Sequence, residues 1–293
     1  MTMGAGVSSR VRAAERSFPV RLGLAVLPLL AWAAYLSVFA FHVWARSFCD
    51  EWLPWRNLYG SETAILGTSA STWLQTNLAG EAGHITARAA TALHLGWFAW
   101  PIVIGAGITA LRRDLLIEYF LWLAAAWFLA DIFFLVAPTV PPWMGDPSVQ
   151  RFLFEQGWIE YAPNDLNAVA AFPSLHACVP LTIAFFIWRR IPAARIVAVT
   201  SGLFAAAIGF AVIFLGEHWV LDVAAGYGLA AAIGLGAGSP FARRLARAFP
   251  GDPLRAVIYL DARWKALHRP RPAATPSALP AALPGPAAPE RAA

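Results

Sequence analysis

Residues 115–137 read LLIEYFLWLAAAWFLADIFFLVA, 23 positions in which Glu118 and Asp131 are the only charged side chains. A helix needs about 20 predominantly apolar residues to cross a hydrocarbon core roughly 30 Å thick, so this stretch predicts a membrane span. Comparable runs occupy residues 22–44, 91–111, 173–188, 196–215 and 219–238. Six spans make an all-α, polytopic membrane helical bundle the expected fold. Composition agrees: 59% of the 293 residues are hydrophobic and 13% charged, against about 45–50% and about 25% in ordinary soluble domains.

The net charge of +5 comes from 21 arginines and one lysine set against 17 acids. Alternating the connecting segments between two sides puts 18 of these cations on one side and four, Arg46, Arg56, Arg88 and Arg151, on the other. The positive-inside rule then predicts six transmembrane helices with both termini cytoplasmic, in the inner (plasma) membrane. The cations are thereby assigned to membrane topology, and the nucleic-acid reading falls away. Leu22 to Trp44 is longer than the 7–15 residue apolar core of a signal peptide and reads as a retained anchor.

Four regions follow from this arrangement. Residues 1–90 hold the anchor helix and a long outer loop, and residues 91–238 form the membrane core. Residues 239–269 are a basic cytoplasmic tail, in which Phe241 to Lys265 has the makings of an amphipathic helix on an anionic leaflet. Residues 270–293 turn to proline and alanine and are expected to be disordered. Cys49 and Cys178 are too few for a disulfide scaffold and lack metal-ligand spacing.

The outer loops, residues 45–90 and 138–172, are long and polar, as functional loops usually are. Where they meet the spans, two short patterns carry chemistry. In Ala171-Phe172-Pro173-Ser174-Leu175-His176 the fourth span starts, with Pro173 expected at the first helical position. A helix start offers free N–H groups to an anion, and Ser174 and His176 add donors. A plain helix cap beside an interfacial histidine accounts for the same residues. In Gly216-Glu217-His218-Trp219-Val220-Leu221-Asp222, a helix over 218–222 would put His218 and Asp222 on one face, where the carboxylate orients the imidazole. A satisfied polar pair at a helix end is the alternative. Tracing the chain from His176 down the fourth span and up the fifth returns it to His218, so both histidines reach one membrane face. Together they resemble a phosphate-handling set.

Pro173-Ser174-Leu175-His176 and Gly216-x-His218-x3-Asp222-x3-Gly226 resemble the second and third signatures of the type 2 phosphatidic acid phosphatase superfamily. Pro138-Thr139-Val140-Pro141-Pro142-Trp143, with leucine between Ser174 and His176, is similar to the branch containing the aureobasidin-sensitive inositol phosphorylceramide synthases. The resemblance covers roughly residues 91–238. It implies that His218 is the nucleophile that forms a phosphohistidine, that Asp222 orients it, and that His176 protonates the leaving oxygen. It also implies that Ser174 binds a phosphoryl oxygen and that neither a metal nor a cofactor takes part. The family's first-signature Lys and Arg are replaced here by Ala130 and Ala137, and its third-signature Ser-Arg pair by Ala211 and Val212. Phosphate charge must be met elsewhere, and Arg151 is the first candidate, ahead of Arg88 and Arg56.

Asp131, inside a span, is a functional candidate by position or a partner for a neighbouring helix's Ser or Trp. His42, His84 and His94 read as interfacial or packing residues. Trp52, Trp55, Trp97, Trp100 and Trp143 read as an aromatic belt. The favoured function is an enzyme that transfers the phosphate group of a membrane lipid to a hydroxyl acceptor on the outer face. A lipid phosphate or polyprenyl (di)phosphate phosphatase is the alternative, and a non-catalytic lipid-binding or transport protein a third reading. The topology predicts that a cysteine introduced near Asp146 reacts with an impermeant thiol reagent from outside, and one near Arg190 does not. Swapped labelling would reverse the orientation.

Overall fold

The computed structural model describes residues 18–46, 54–158 and 169–237, with side chains from Val26 onward. The expected basic and Pro/Ala tails, together with Cys49 and Trp52, lie outside the described residues. The described chain is all-helical, with isolated β-bridges and no strand. In order, α1 spans Phe18–Arg46, α2 Tyr59–Leu66, α3 Ala70–Asn77, α4 Glu81–Leu111, α5 Leu116–Val136, α6 Pro142–Gly145, α7 Leu175–Arg190, α8 Arg195–Phe214 and α9 Val220–Gly236. Short 3-10 turns, Arg113–Leu115 and Pro192–Ala194, lead into α5 and α8.

Four helices, α1, α4, and α5 and α8 with their 3-10 turns, are long and apolar enough to cross a bilayer, and the chain is an integral membrane protein. The other two expected spans are helices of 16 residues (α7) and 17 residues (α9). At 1.5 Å per residue they rise only about 24–26 Å, short of a core of about 30 Å. They start late because Pro173 and Ser174, and His218 and Trp219, form the turns that lead into them. Conversely, α4 starts ten residues before the expected 91, and α2 and α3 fold much of the expected outer loop. Exposed Glu81, His84 and Arg88 make the first turns of α4 look loop-like, yet the opposite face buries Gly83, Ala87 and Ala90.

Helix α7 occupies the centre, packed against α8, α9, α5 and α4. Eleven of its 16 residues are buried, as befits a helix that is apolar on all sides. Helix α1 lies against α5 and turns Leu29, Leu30, Leu36, Phe41 and Trp44 outward. Its Trp32 indole N–H donates to the Thr109 hydroxyl at 3.1 Å, fastening α1 to α4. At one end of the bundle Arg190 pairs with Glu118 at 2.8 Å, and Arg189 donates to the Gly234 carbonyl.

The other end carries a lid of connecting segments. Arg56 and Thr139, and Thr139 and Ala170, form parallel bridges, so three loops lie side by side. Asp146 accepts from the Ser69 hydroxyl at 2.6 Å and the Thr72 hydroxyl at 2.7 Å. Gln75 exchanges hydrogen bonds with Gln150 and also donates to the Phe214 carbonyl. Burial opposes ionisation of Asp146, but bonds from Ser69, Thr72 and Ser148 outweigh it and hold the carboxyl below its ordinary range. Its contribution to lid stability is complete above that range and is lost as pH falls through the lowered value.

Beneath the lid, α7 and α9 meet at close range. A Cβ on Gly226 would lie 2.2 Å from the Ser174 carbonyl oxygen, a backbone atom that cannot swing aside. Gly226→Ala is expected to cost about 1–3 kcal/mol of stability through overpacking. Gly228→Ala, where nothing lies within 4 Å of the added methyl, should be neutral or slightly stabilising. Thermal unfolding in detergent measures both, and equal melting temperatures would refute the close-packed junction.

Candidate functional site

Ser174 caps α7, and its Oγ accepts a long 3.4 Å bond from the Ala177 N–H. Pro173 is therefore outside the helix rather than its first residue, joined to Phe172 by a cis peptide bond. The sequence places it at the first helical position, two residues further in, because proline suits a helix start. A cap must instead supply an oxygen to the free N–H groups, which Ser174 does. The Ser174 N–H donates to the Asp222 carbonyl at 2.9 Å, tying the start of α7 to the start of α9.

His176 stands in the first turn of α7. His218 lies in the turn between α8 and α9, outside both helices, so the expected 218–222 helical face does not exist. The contact survives by another route. Gly216, at φ 78°, reverses the chain, and the Glu217 and His218 N–H groups fold back onto the Val212 carbonyl at 2.9 and 3.1 Å. The Trp219 indole anchors the turn to the Val140 carbonyl at 2.7 Å. Asp222, in the first turn of α9, accepts the Trp219 N–H at 2.8 Å with the same oxygen that lies 3.4 Å from His218 Nδ1. Its other oxygen is buried with no hydrogen-bond partner among the described residues.

The two histidines meet directly, His176 Nδ1 lying 3.0 Å from His218 Nε2. A carboxylate beside Nδ1 of His218 assigns the proton to that nitrogen and leaves a lone pair on Nε2. His176 Nδ1 then carries the hydrogen between the rings. The His176 ring is flanked by Trp97 and His94, each with its centroid 4.6 Å away. Trp97 and His94 are thus neighbours of the site, and the expected interfacial place of Trp97 is corrected: a ring 5% exposed packs against His176 instead of facing headgroups.

A cavity of about 90 Å³ opens on this pair. His176, His218, Glu217, Arg46 and His42 are among its walls. Arg151, the expected phosphate ligand, stands behind Glu217 and not at the cavity wall. Its guanidinium grips Glu217 at 2.7 and 3.1 Å and stacks over Trp143 and Phe154 at 4.1 and 4.5 Å. Arg88 is exposed, and Arg56 lines a separate groove with Phe133 and Phe172. Asp131 bonds His42 at 2.5 Å, not a Ser or Trp. Among the described residues no cluster of three or more His, Cys, Asp or Glu is placed to hold a metal ion. Cys178 is a buried free thiol.

Three further residues were not singled out by sequence. Glu217 is adjacent to His218, and Arg46 ends the first span, so position alone marked both. Glu62 carried no signal at all. Its carboxylate accepts the Ala70 and Val220 N–H groups, each at 2.8 Å, pinning the lid to the first residue of α9. Burial pushes its carboxyl above the ordinary range, against the pull of those backbone bonds.

A family model described as the PAP2 superfamily matches residues 61–235. The match begins upstream of the expected residue 91, within α2, and so includes Glu62 and α3 but not α1. No curated protein and no solved structure matches the chain.

Glu217 is buried and its partner Arg151 half-buried, with side chains 2% and 10% exposed. Arg151→Ala strands a carboxylate at the cavity wall and is expected to cost about 3–5 kcal/mol. Adding Glu217→Gln should recover at least half of that loss. Thermal unfolding of the four proteins in the cycle tests this, and additive losses would show that the two side chains act independently.

Proposed function

Because the chain belongs to the PAP2 superfamily, we propose that it is a membrane lipid phosphotransferase that works through a phosphohistidine on His218. The superfamily and the apolar helices fit a membrane lipid phosphatase-type enzyme. The observation that carries the finer reading is the chain of contacts from Asp222 through His218 to His176 at one cavity.

In the proposed first step His218 Nε2 attacks phosphorus. The N–P bond forms as the ester P–O bond breaks, and His176, entering the step protonated on both nitrogens, gives its Nδ1 proton to the leaving oxygen and becomes the neutral imidazole. The Nδ1–H that faces His218 at rest comes within reach of that oxygen once the phosphoryl group separates the rings. In the second step an acceptor hydroxyl attacks. Its O–P bond forms, the N–P bond breaks with its electron pair returning to the imidazole, and the hydroxyl proton passes to His176. Asp222 stabilises the charged ring in between. Water in the acceptor's place gives hydrolysis, the phosphatase alternative.

No metal enters these steps. Phosphate charge is met by the capped start of α7 with Ser174, and by Arg46 at the cavity wall, while Arg151 acts through Glu217. One arginine at the wall suits the single negative charge of a phosphodiester better than a dianionic monoester. Transfer is favoured because the Pro141-Pro142-Trp143 turn, the mark of the inositolphosphotransferase-like branch, reaches the nucleophile's loop: the Trp143 N–H donates to the Gly216 carbonyl at 3.1 Å. The catalytic unit is taken as residues 91–238 with α2 and α3. The arginine distribution puts the site on the outer face of the inner membrane.

Substitution of the histidines tests the division of labour. His218→Ala should abolish radiolabel trapped on the protein from a 32P-labelled lipid, and activity with it. His176→Ala should lower turnover by about 10²–10⁴-fold for a poor leaving group and by less than about tenfold for a nitrophenyl ester, which needs little protonation. Equal rescue of both variants would contradict the assignment.

A further inference from the structure

The cavity wall also holds His42, which pairs with a second carboxylate, Asp131. His42 of α1 and Asp131 of α5 are 1% and 4% exposed and bond through Nδ1 at 2.5 Å. The second Asp131 oxygen is buried without a partner among the described residues. Tryptophans connect this pair to the first one: the His42 ring lies 4.7 Å from Trp127, Trp127 lies 5.7 Å from Trp97, and Trp97 lies 4.6 Å from His176. Helix α1, which brings His42, is outside the superfamily match.

An ionisable pair inside a membrane bundle is costly, and packing alone is served as well by apolar residues. The geometry restricts what the pair can bind. Asp131 holds the proton on Nδ1, so Nε2, which makes no hydrogen bond among the described residues, keeps its lone pair on a ring that lines the cavity. A lone pair backed by a carboxylate repels a phosphoryl oxygen and accepts a hydroxyl hydrogen.

We propose that His42, set by Asp131, is the hydroxyl-binding subsite for the acceptor alcohol, holding one hydroxyl while a second attacks the phosphohistidine. The acceptor class is therefore an alcohol with at least two hydroxyl groups. This inference rests on the transferase reading above. The reacting proton still passes to His176, and His42 binds and aligns.

The test uses the purified full-length protein and fluorescent phosphatidylinositol, phosphatidylglycerol and phosphatidic acid, taking the donor that turns over fastest. Two acceptor pairs are compared, glycerol with propan-1-ol and decane-1,2-diol with decan-1-ol, so that a soluble polyol is told from a lipid diol. Transfer and hydrolysis products are read together. Wild type should favour the polyhydric member of one pair by about tenfold, the worth of one hydrogen bond. In His42→Asn the amide nitrogen still reaches Asp131 but nothing replaces Nε2. The preference should fall below about threefold, with transfer to the polyhydric acceptor lowered more than donor hydrolysis. In His42→Gln the amide takes the place of Nε2, and much of the preference should return. Retained preference in His42→Asn, a parallel fall of transfer and hydrolysis in both variants, or a changed KM for the donor alone would overturn the subsite. Absence of transfer by wild type to any of the four alcohols would overturn the transferase reading and this inference with it.

Discussion

The docking of the start of α9 onto the start of α7 is the constraint on which the site depends. Gly226 lets the two backbones approach until the Ser174 carbonyl fills the space where a side chain would begin. In the opposite sense, the Ser174 N–H reaches the Asp222 carbonyl. The first turns of two helices are thereby locked together, and each brings a site residue with it: His176 on α7, Asp222 on α9. His218 is added by a turn whose reversal needs the positive φ of Gly216. The 3.0 Å contact between the rings is the outcome of backbone packing, not of an affinity between two imidazoles.

Carboxylates hold the remainder of this end in place, each in a different way. Glu62 and Asp222 both accept backbone N–H groups at the start of α9, where the helix dipole favours negative charge. Asp146 ties α3 to the loop after α6 through two hydroxyls. Glu217 pairs with Arg151, while Arg46 of α1 lines the cavity.

Aromatic rings make the low-polarity surroundings of the cavity. Trp97 and Trp127 lie 1–5% exposed between the two histidine–carboxylate pairs, and rings of this kind exclude water, which strengthens electrostatic interactions at the cavity. The superfamily match ends short of α1, yet α1 supplies His42 and Arg46 to the same cavity. The PAP2 core and α1 thus both line one cavity.

Length and hydropathy by themselves determined the helical class, the membrane and the approximate position of every long helix, because burying a backbone in hydrocarbon leaves few alternatives to an apolar helix. Short motifs also located Ser174, His176, His218 and Asp222, since they sit within a few residues of one another at two helix starts. The amphipathic start of α4 was less legible, its buried face being alanine and glycine. What only the tertiary structure decided are the long-range pairings. Arg151 meets Glu217 across 66 positions, His42 meets Asp131 across 89, and Glu62 meets Val220 across 158. Charge type and hydropathy say that a buried carboxylate needs a partner. Which partner it finds depends on how the helices stack, and no local pattern in the chain records that.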